Sequence, residues 1–147
     1  MQAFEFETQL IIHPYFLKQY NNRWFLMGYN PEREKYDWNL PLDRIMEITE
    51  LNDTFVPNTV IDWEEYFEDM IGVTKPENAV SEKIQLQFYD KTGHYIASKP
   101  IVGCQKHKWL DSNTLEVTLN LIINYELERF ILSYADNVKV IYPSHRI

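Results

Sequence analysis

Five apolar residues at every second position, Leu115, Val117, Leu119, Leu121 and Ile123, constrain this chain more than any other feature of it. Side chains along a strand leave on alternate faces, so this run reads as a strand with one buried face and one wet face. Ile84, Leu86 and Phe88 alternate with Gln85, Gln87 and Tyr89 in the same way. Two such strands need an apolar cover. Asn124 is a good helix N-cap, and in the helix it would start, to about Tyr134, Leu127, Phe130, Ile131 and Tyr134 fall on one face. Asp90–Gly93 reads as a turn, His94–Lys99 as a short helix ended by Pro100, and Gln105–Leu110 as a strand. Asp111–Thr114 then reads as a hairpin turn and Val138–Tyr142 as a closing strand. The order is βαββαβ, the ferredoxin-like plan, for which four antiparallel strands with both helices on one face are expected.

The first half reads differently. From Thr8 to Leu51, β-branched and aromatic residues are bounded by turn signals. Gln9–His13 is a short apolar run stopped by Pro14. Arg23–Asn30 is the strongest strand of this half and is entered through Asn21-Asn22. The polar loop Asn30–Lys35 leads to Tyr36–Leu40, and Leu42–Leu51 reads as a further strand. Strands this short and this close imply a small curled sheet or barrel. Met1–Glu7 begins with almost no lead-in, as if cut from a longer chain. Between the halves, Asp62–Ile71 places Trp63, Tyr66, Phe67, Met70 and Ile71 on one helical face and Glu64, Glu65, Glu68 and Asp69 on the other. Asp62 with Glu65 resembles a capping box, Gly72 is a natural stop, and Thr74–Asn78 reads as a linker. The organisation expected is residues 1–60 as a first unit, 61–80 as helix and linker, and 81–147 as a second unit.

The 147 residues carry a net charge of −8. Residues 47–79 account for it, with one basic and nine acidic side chains, while the flanks are nearly neutral. Duplex DNA is held by a basic face that neutralises phosphates, and no block of this chain supplies one, although a local basic pocket in a neutral flank is compatible with these sums. Four glycines leave no room for a glycine-rich phosphate loop, and the single Cys104 permits neither an intrachain disulfide nor a thiolate zinc site. There is no run of eighteen apolar residues and no basic and apolar leader, so a cytoplasmic protein with no membrane partner is expected.

Little in the residues points to catalysis. His13, His94, His107 and His145 lack metal-ligand spacing. Cys104 with His107 is the pairing a nucleophile would need, but a lone semi-buried cysteine usually acts as a small hydrophobe. The acidic helix face lacks the glycine turn of a calcium loop and reads as solvated surface. No enzyme, no metal and no cofactor are expected. The strand Arg23–Asn30 says more. Arg23, Phe25, Met27 and Tyr29 share one face, and Trp24, Leu26 and Gly28 share the other. Arginine beside aromatic rings suits a base-stacking, phosphate-pairing surface. The same pattern also suits core filler with a solvated arginine at the edge.

The stretch HPYFLKQYNNRWFLMGYN, followed by LPLDRI, resembles the WYL-domain family of bacterial transcriptional regulators. The family's Trp-Tyr-Leu triplet stands here as Trp24-Phe25-Leu26, after a His-Pro-Tyr entry and before a Leu-Asp-Arg-Ile strand. The downstream half is similar to the family's C-terminal extension: the strand at Ile84, Lys99-Pro100 before Gln105, the long alternating strand, and Ser133–Asp136 before Val138 and Pro143. The resemblance covers nearly the whole chain in the family's order. It implies an Sm- or SH3-like small β-barrel linked by a helix to the ferredoxin-like βαββαβ unit, an α+β fold. It also implies the ligand-sensing and dimerisation portion of a regulator. Its effector would be a single-stranded nucleic acid or nucleotide-like molecule, and operator DNA would be met only through an N-terminal domain absent here. By position, the implied ligand residues are Trp24, Phe25, Leu26 and Arg44, with Lys18, Arg23 and Tyr29 as neighbours. Trp24 and Leu26 share a parity and are expected in the core, which leaves Phe25 and Arg44 for the ligand. Phe25 replaces the family tyrosine and removes its hydroxyl. The family's helix-turn-helix and first barrel strand have no counterpart ahead of His13. A fragment with an open sheet edge is therefore expected, and with it self-association. The competing reading is a protein–protein assembly module with no small ligand.

Overall fold

The computed structural model describes residues 8–103 and 105–144. Met1–Glu7, Cys104 and His145 lie outside the described residues. The fold is α+β, with one three-stranded and one four-stranded antiparallel sheet. The chain divides into two units between Tyr66 and Phe67. No helix among the described residues is long and apolar enough to cross a membrane.

In the first unit, strands β1 (His13–Tyr20), β2 (Arg23–Asn30) and β3 (Lys35–Pro41) lie in sequence order. The β1–β2 turn is Asn21-Asn22, with φ of 55° and 62°. A two-residue hairpin turn of type I′ requires positive φ at both positions, and asparagine tolerates it. The expectation that Pro14 stops the first run is corrected: β1 starts at His13 and passes through it. Proline lacks the N–H of a ladder, but β1 is an edge strand and its register shifts between Pro14 and Phe16. Gly28 in β2 is buried, and a Cβ there would run into the His13 carbonyl oxygen of β1, so glycine alone fits.

The further strand expected over Leu42–Leu51 is also corrected. Leu42–Arg44 forms a 3-10 turn closed by the Ile45 N–H on the Leu42 carbonyl at 3.1 Å, and Ile45–Glu50 follows outside any sheet. Two causes act together. Pro41 ends β3 with no donor of its own, and Arg23 binds Asp43 and draws the chain into the turn. Met46 and Ile48 are left 79% and 81% exposed. Helix α1 (Trp63–Glu68) starts where Asp62 Oδ1 accepts the N–H groups of Glu64 and Glu65, as expected, but is shorter than Asp62–Ile71. Trp63 is buried and Glu64, Glu65 and Glu68 are exposed.

The second unit follows the alternation. Strands β4 (Glu82–Tyr89), β5 (Lys106–Asp111), β6 (Thr114–Leu121) and β7 (Val138–Tyr142) lie in the order β5-β6-β4-β7, and every neighbouring pair is antiparallel. Helices α2 (Asp90–Ser98) and α3 (Tyr125–Leu132) cover one face. Ile84, Leu86, Phe88, Leu115, Val117, Leu119 and Leu121 meet Ile96 of α2 and Leu127 and Ile131 of α3 there in one core cluster. Each such side chain stabilises the fold by roughly 1.5–3 kcal/mol when fully buried. Asp90–Gly93, expected as a turn, is the first turn of α2. Gly93 serves contact with the sheet: a Cβ there would meet the Phe88 carbonyl oxygen at 3.2 Å and Leu115 Cβ at 3.3 Å.

Asn124 caps α3 as the sequence indicates, and its side chain does more. Its Oδ1 accepts the Leu127 N–H at 2.9 Å, while its Nδ2 donates to the carbonyls of Ile71 at 2.8 Å and Thr74 at 3.0 Å. Glu126 Oε1 accepts the Val73 N–H at 3.0 Å and the Thr74 hydroxyl at 2.7 Å. The start of the expected linker is thus fastened to the start of α3. Gly72 lies inside this clamp at φ 78°, and a Cβ would collide with the Glu126 side chain, whose Cδ is 2.7 Å away. Gly72→Ala is therefore expected to cost about 2 kcal/mol or more, through left-handed strain and displacement of Glu126. Urea unfolding of the two proteins measures it, and an unchanged midpoint would count against the clamp.

Candidate functional site

Both faces of β2 carry large apolar residues, so its pattern cannot say which face is buried. The structure buries Phe25 and Met27, at 8% and 0% exposure, and leaves Trp24 46% exposed with Leu26 half-buried. The expectation that Trp24 and Leu26 form the core while Phe25 faces a ligand is inverted. Phe25 lies opposite Lys18 on one neighbour and Pro41 on the other, and Met27 lies opposite Phe16, whose ring stacks on Trp63 at 5.8 Å. Aromatic cover from α1 falls on the Phe25 and Met27 face, and the choice of face follows from it.

Three of the expected cations gather at the β1–β2 turn end. Arg23 makes a two-pronged contact with Asp43, Nε to Oδ2 and Nη2 to Oδ1, each 3.0 Å. Its guanidinium lies 5.5 Å from the Phe25 ring centroid. A planar fork on a carboxylate fixes the arginine's orientation. The Arg23 hydrogen bonds hold the Asp43 carboxyl below the usual carboxylate range, with the Arg23 and Arg44 charges acting the same way. Both partners are exposed, so the pair adds little stability. Arg44 follows directly and is exposed, with no ion pair within 4 Å among the described residues. Lys18 lies opposite Phe25 on β1. The nearby carboxylates are engaged by other residues: Arg23 takes Asp43, and Asp37 accepts the Tyr66 hydroxyl at 2.9 Å.

Tyr29 is elsewhere. Six residues along a strand separate it from Arg23, about 20 Å. It stacks on Tyr36 with centroids 4.3 Å apart and lies 5.6 Å from His13, which in turn is 5.8 Å from Phe55. The His-Pro-Tyr entry anchors this group: His13 Nδ1 accepts the Val56 N–H at 3.0 Å and the Tyr15 hydroxyl donates to the Val56 carbonyl at 2.7 Å. The expected ligand residues are therefore not one site. Lys18, Arg23, Phe25 and Arg44 belong to one end of the sheet, Tyr29 to the other, and Trp24 and Leu26 to the opposite face. Sequence reading missed the aromatic group because Phe55 reaches it from a distant loop.

His107 is exposed on β5 opposite Val117, and His94 lies against Trp109 at 4.5 Å. Among the described residues no group of three metal-ligating side chains is placed to hold an ion. No family model matches the chain, and no curated protein matches it.

Burial raises the Tyr66 hydroxyl's pKa strongly, and the Asp37 charge and hydrogen bond add to it. A raised folded-state pKa leaves this contribution intact below a free tyrosine's value near 10, and it is lost as pH climbs from there. Melting curves between pH 8 and 11 should fall more steeply for the parent than for Tyr66→Phe. Parallel curves would remove Tyr66 from the alkaline transition. The inversion on β2 is tested separately by truncation. Phe25→Ala is expected to cost about 3–5 kcal/mol and Trp24→Ala under about 1 kcal/mol, read from chemical denaturation. Equal losses would contradict the observed faces.

Proposed function

We propose that this chain is the ligand-sensing and dimerisation portion of a bacterial transcriptional regulator of the WYL type, cytoplasmic and non-enzymatic, responding to a single-stranded nucleic acid or nucleotide-like effector. The observation that carries the reading is the cation group at the β1–β2 turn end: Arg23 and Arg44 beside the Asp43 carboxylate, with Lys18 opposite Phe25 on the neighbouring strand. These cations stand out in a chain of net charge −8. Arg23 is pre-set by Asp43, which leaves Arg44 to take a phosphate with its own planar fork. With Phe25 buried, the exposed ring at this end is Trp24, on the other face, so any base stacking here involves Trp24. The strand order β5-β6-β4-β7, with each helix crossing over one intervening strand, supports the ferredoxin-like assignment of the second unit. Three antiparallel strands are compatible with part of an Sm- or SH3-like barrel for the first.

A second reading, an assembly module with no small ligand, is favoured by the exposed Met46 and Ile48 on a segment that has no strand partner. One set of variants separates the two. With a labelled short oligonucleotide, Arg44→Lys should weaken binding several-fold. Arg44→Ala should weaken it further and lower the salt dependence by about one phosphate contact, with melting temperature unchanged. Unchanged affinity in both, together with a sedimenting oligomer that Met46→Ser and Ile48→Ser dissociate, would establish assembly instead.

A further inference from the structure

The face of the four-stranded sheet turned away from α2 and α3 carries an excess of lysines, in a unit that is nearly neutral by count. Because Ile84, Leu86 and Phe88 point into the core, Lys83, Gln85 and Gln87 of β4 point out. The register places Thr118 beside Gln85 with Lys106 beyond it, and Glu116 beside Gln87 with Lys108 beyond it. On the other flank, Lys139 is opposite Gln87 and the exposed Tyr142 is opposite Gln85. Four lysines therefore share this face with one carboxylate. Glu116 is engaged by Lys108 at 3.7 Å, and the other three make no ion pair within 4 Å among the described residues. A groove of about 310 Å³ lies there, lined by Gln85, Lys106, His107, Lys108, Glu116 and Thr118.

We propose that this sheet face binds single-stranded nucleic acid. Three inter-strand steps separate β5 from β7, so Lys106 and Lys108 stand about 14 Å from Lys139. That spread fits successive phosphates of an extended strand better than one phosphate group. Between the cations, Gln85, Gln87 and Thr118 offer donors and acceptors to base edges, and Tyr142 offers a ring for stacking. In a chain with a net charge of −8, a local excess of lysines favours the approach of a polyanion to this surface.

The proposal uses only residues of the second unit and does not rest on the reading of Arg44. Fluorescence anisotropy of the full chain with labelled fifteen-residue oligothymidine tests it, with inorganic polyphosphate as competitor. Replacing Lys106, Lys108 and Lys139 together by Glu should lower affinity more than about tenfold, and the Gln triple should lower it less. The Gln triple, which keeps the face polar and leaves Lys83 and Glu116 as its charges, should reduce the salt slope by about 2, at roughly 0.7 per phosphate lost. Tyr142→Ala should weaken binding about fivefold or more with the slope unchanged. All four side chains are exposed, so melting temperatures should hold. A loss confined to Arg44→Ala overturns this proposal and leaves the first unit's reading standing, and a loss confined to the lysine triples does the reverse. Silent triples, or a silent Tyr142→Ala with polyphosphate competing as well as oligothymidine, also overturn it.

Discussion

Burial of one side of the four-stranded sheet is the constraint on which the second unit depends. Once Ile84, Leu86, Phe88, Leu115, Val117 and Leu119 face Ile96, Leu127 and Ile131, the pleat sends every intervening residue outward. A one-residue slip of β6 against β4 would reverse both faces, so the register is held by the full apolar set. The polar face, with its lysines and amides, is the geometrical complement of the core.

The clamp at the start of α3 extends this order to the segment before the sheet. Asn124 satisfies both a helix N–H and two carbonyls, and Glu126 satisfies one N–H and one hydroxyl. Buried polar backbone must find partners, and here two side chains from one helical turn supply them. In the first unit, Arg23 and Asp43 do comparable work at the surface, turning the chain after β3 at the point where a strand was expected. Both devices shape the backbone through side-chain hydrogen bonds, and only one of them leaves a cation, Arg44, beside it for other use.

Legibility in the sequence followed how one-sided each pattern was. The strands of the second unit, the Asn124 cap, the Asn21-Asn22 turn and the Asp62 start of α1 were all readable because local chemistry and alternation agreed. β2 was readable as a strand but not as a face, since Trp24 and Phe25 are both aromatic and only cover from Trp63 through Phe16 separates them. Charge was counted along the chain, where residues 80–147 are nearly neutral. Counted by face, the same residues divide into a lysine-rich surface and a remainder that is more acidic.

The amino-acid order by itself determined the α+β class, the βαββαβ series and the apolar face of the second sheet, because each of these depends on near neighbours. Tertiary structure alone decided which side of β2 is buried, why Leu42–Leu51 leaves the sheet, that Tyr29 stands apart from Arg23, and that Lys106, Lys108 and Lys139 share one surface. These depend on which strand lies beside which, and strand order is set by crossovers that bring together residues remote in the chain.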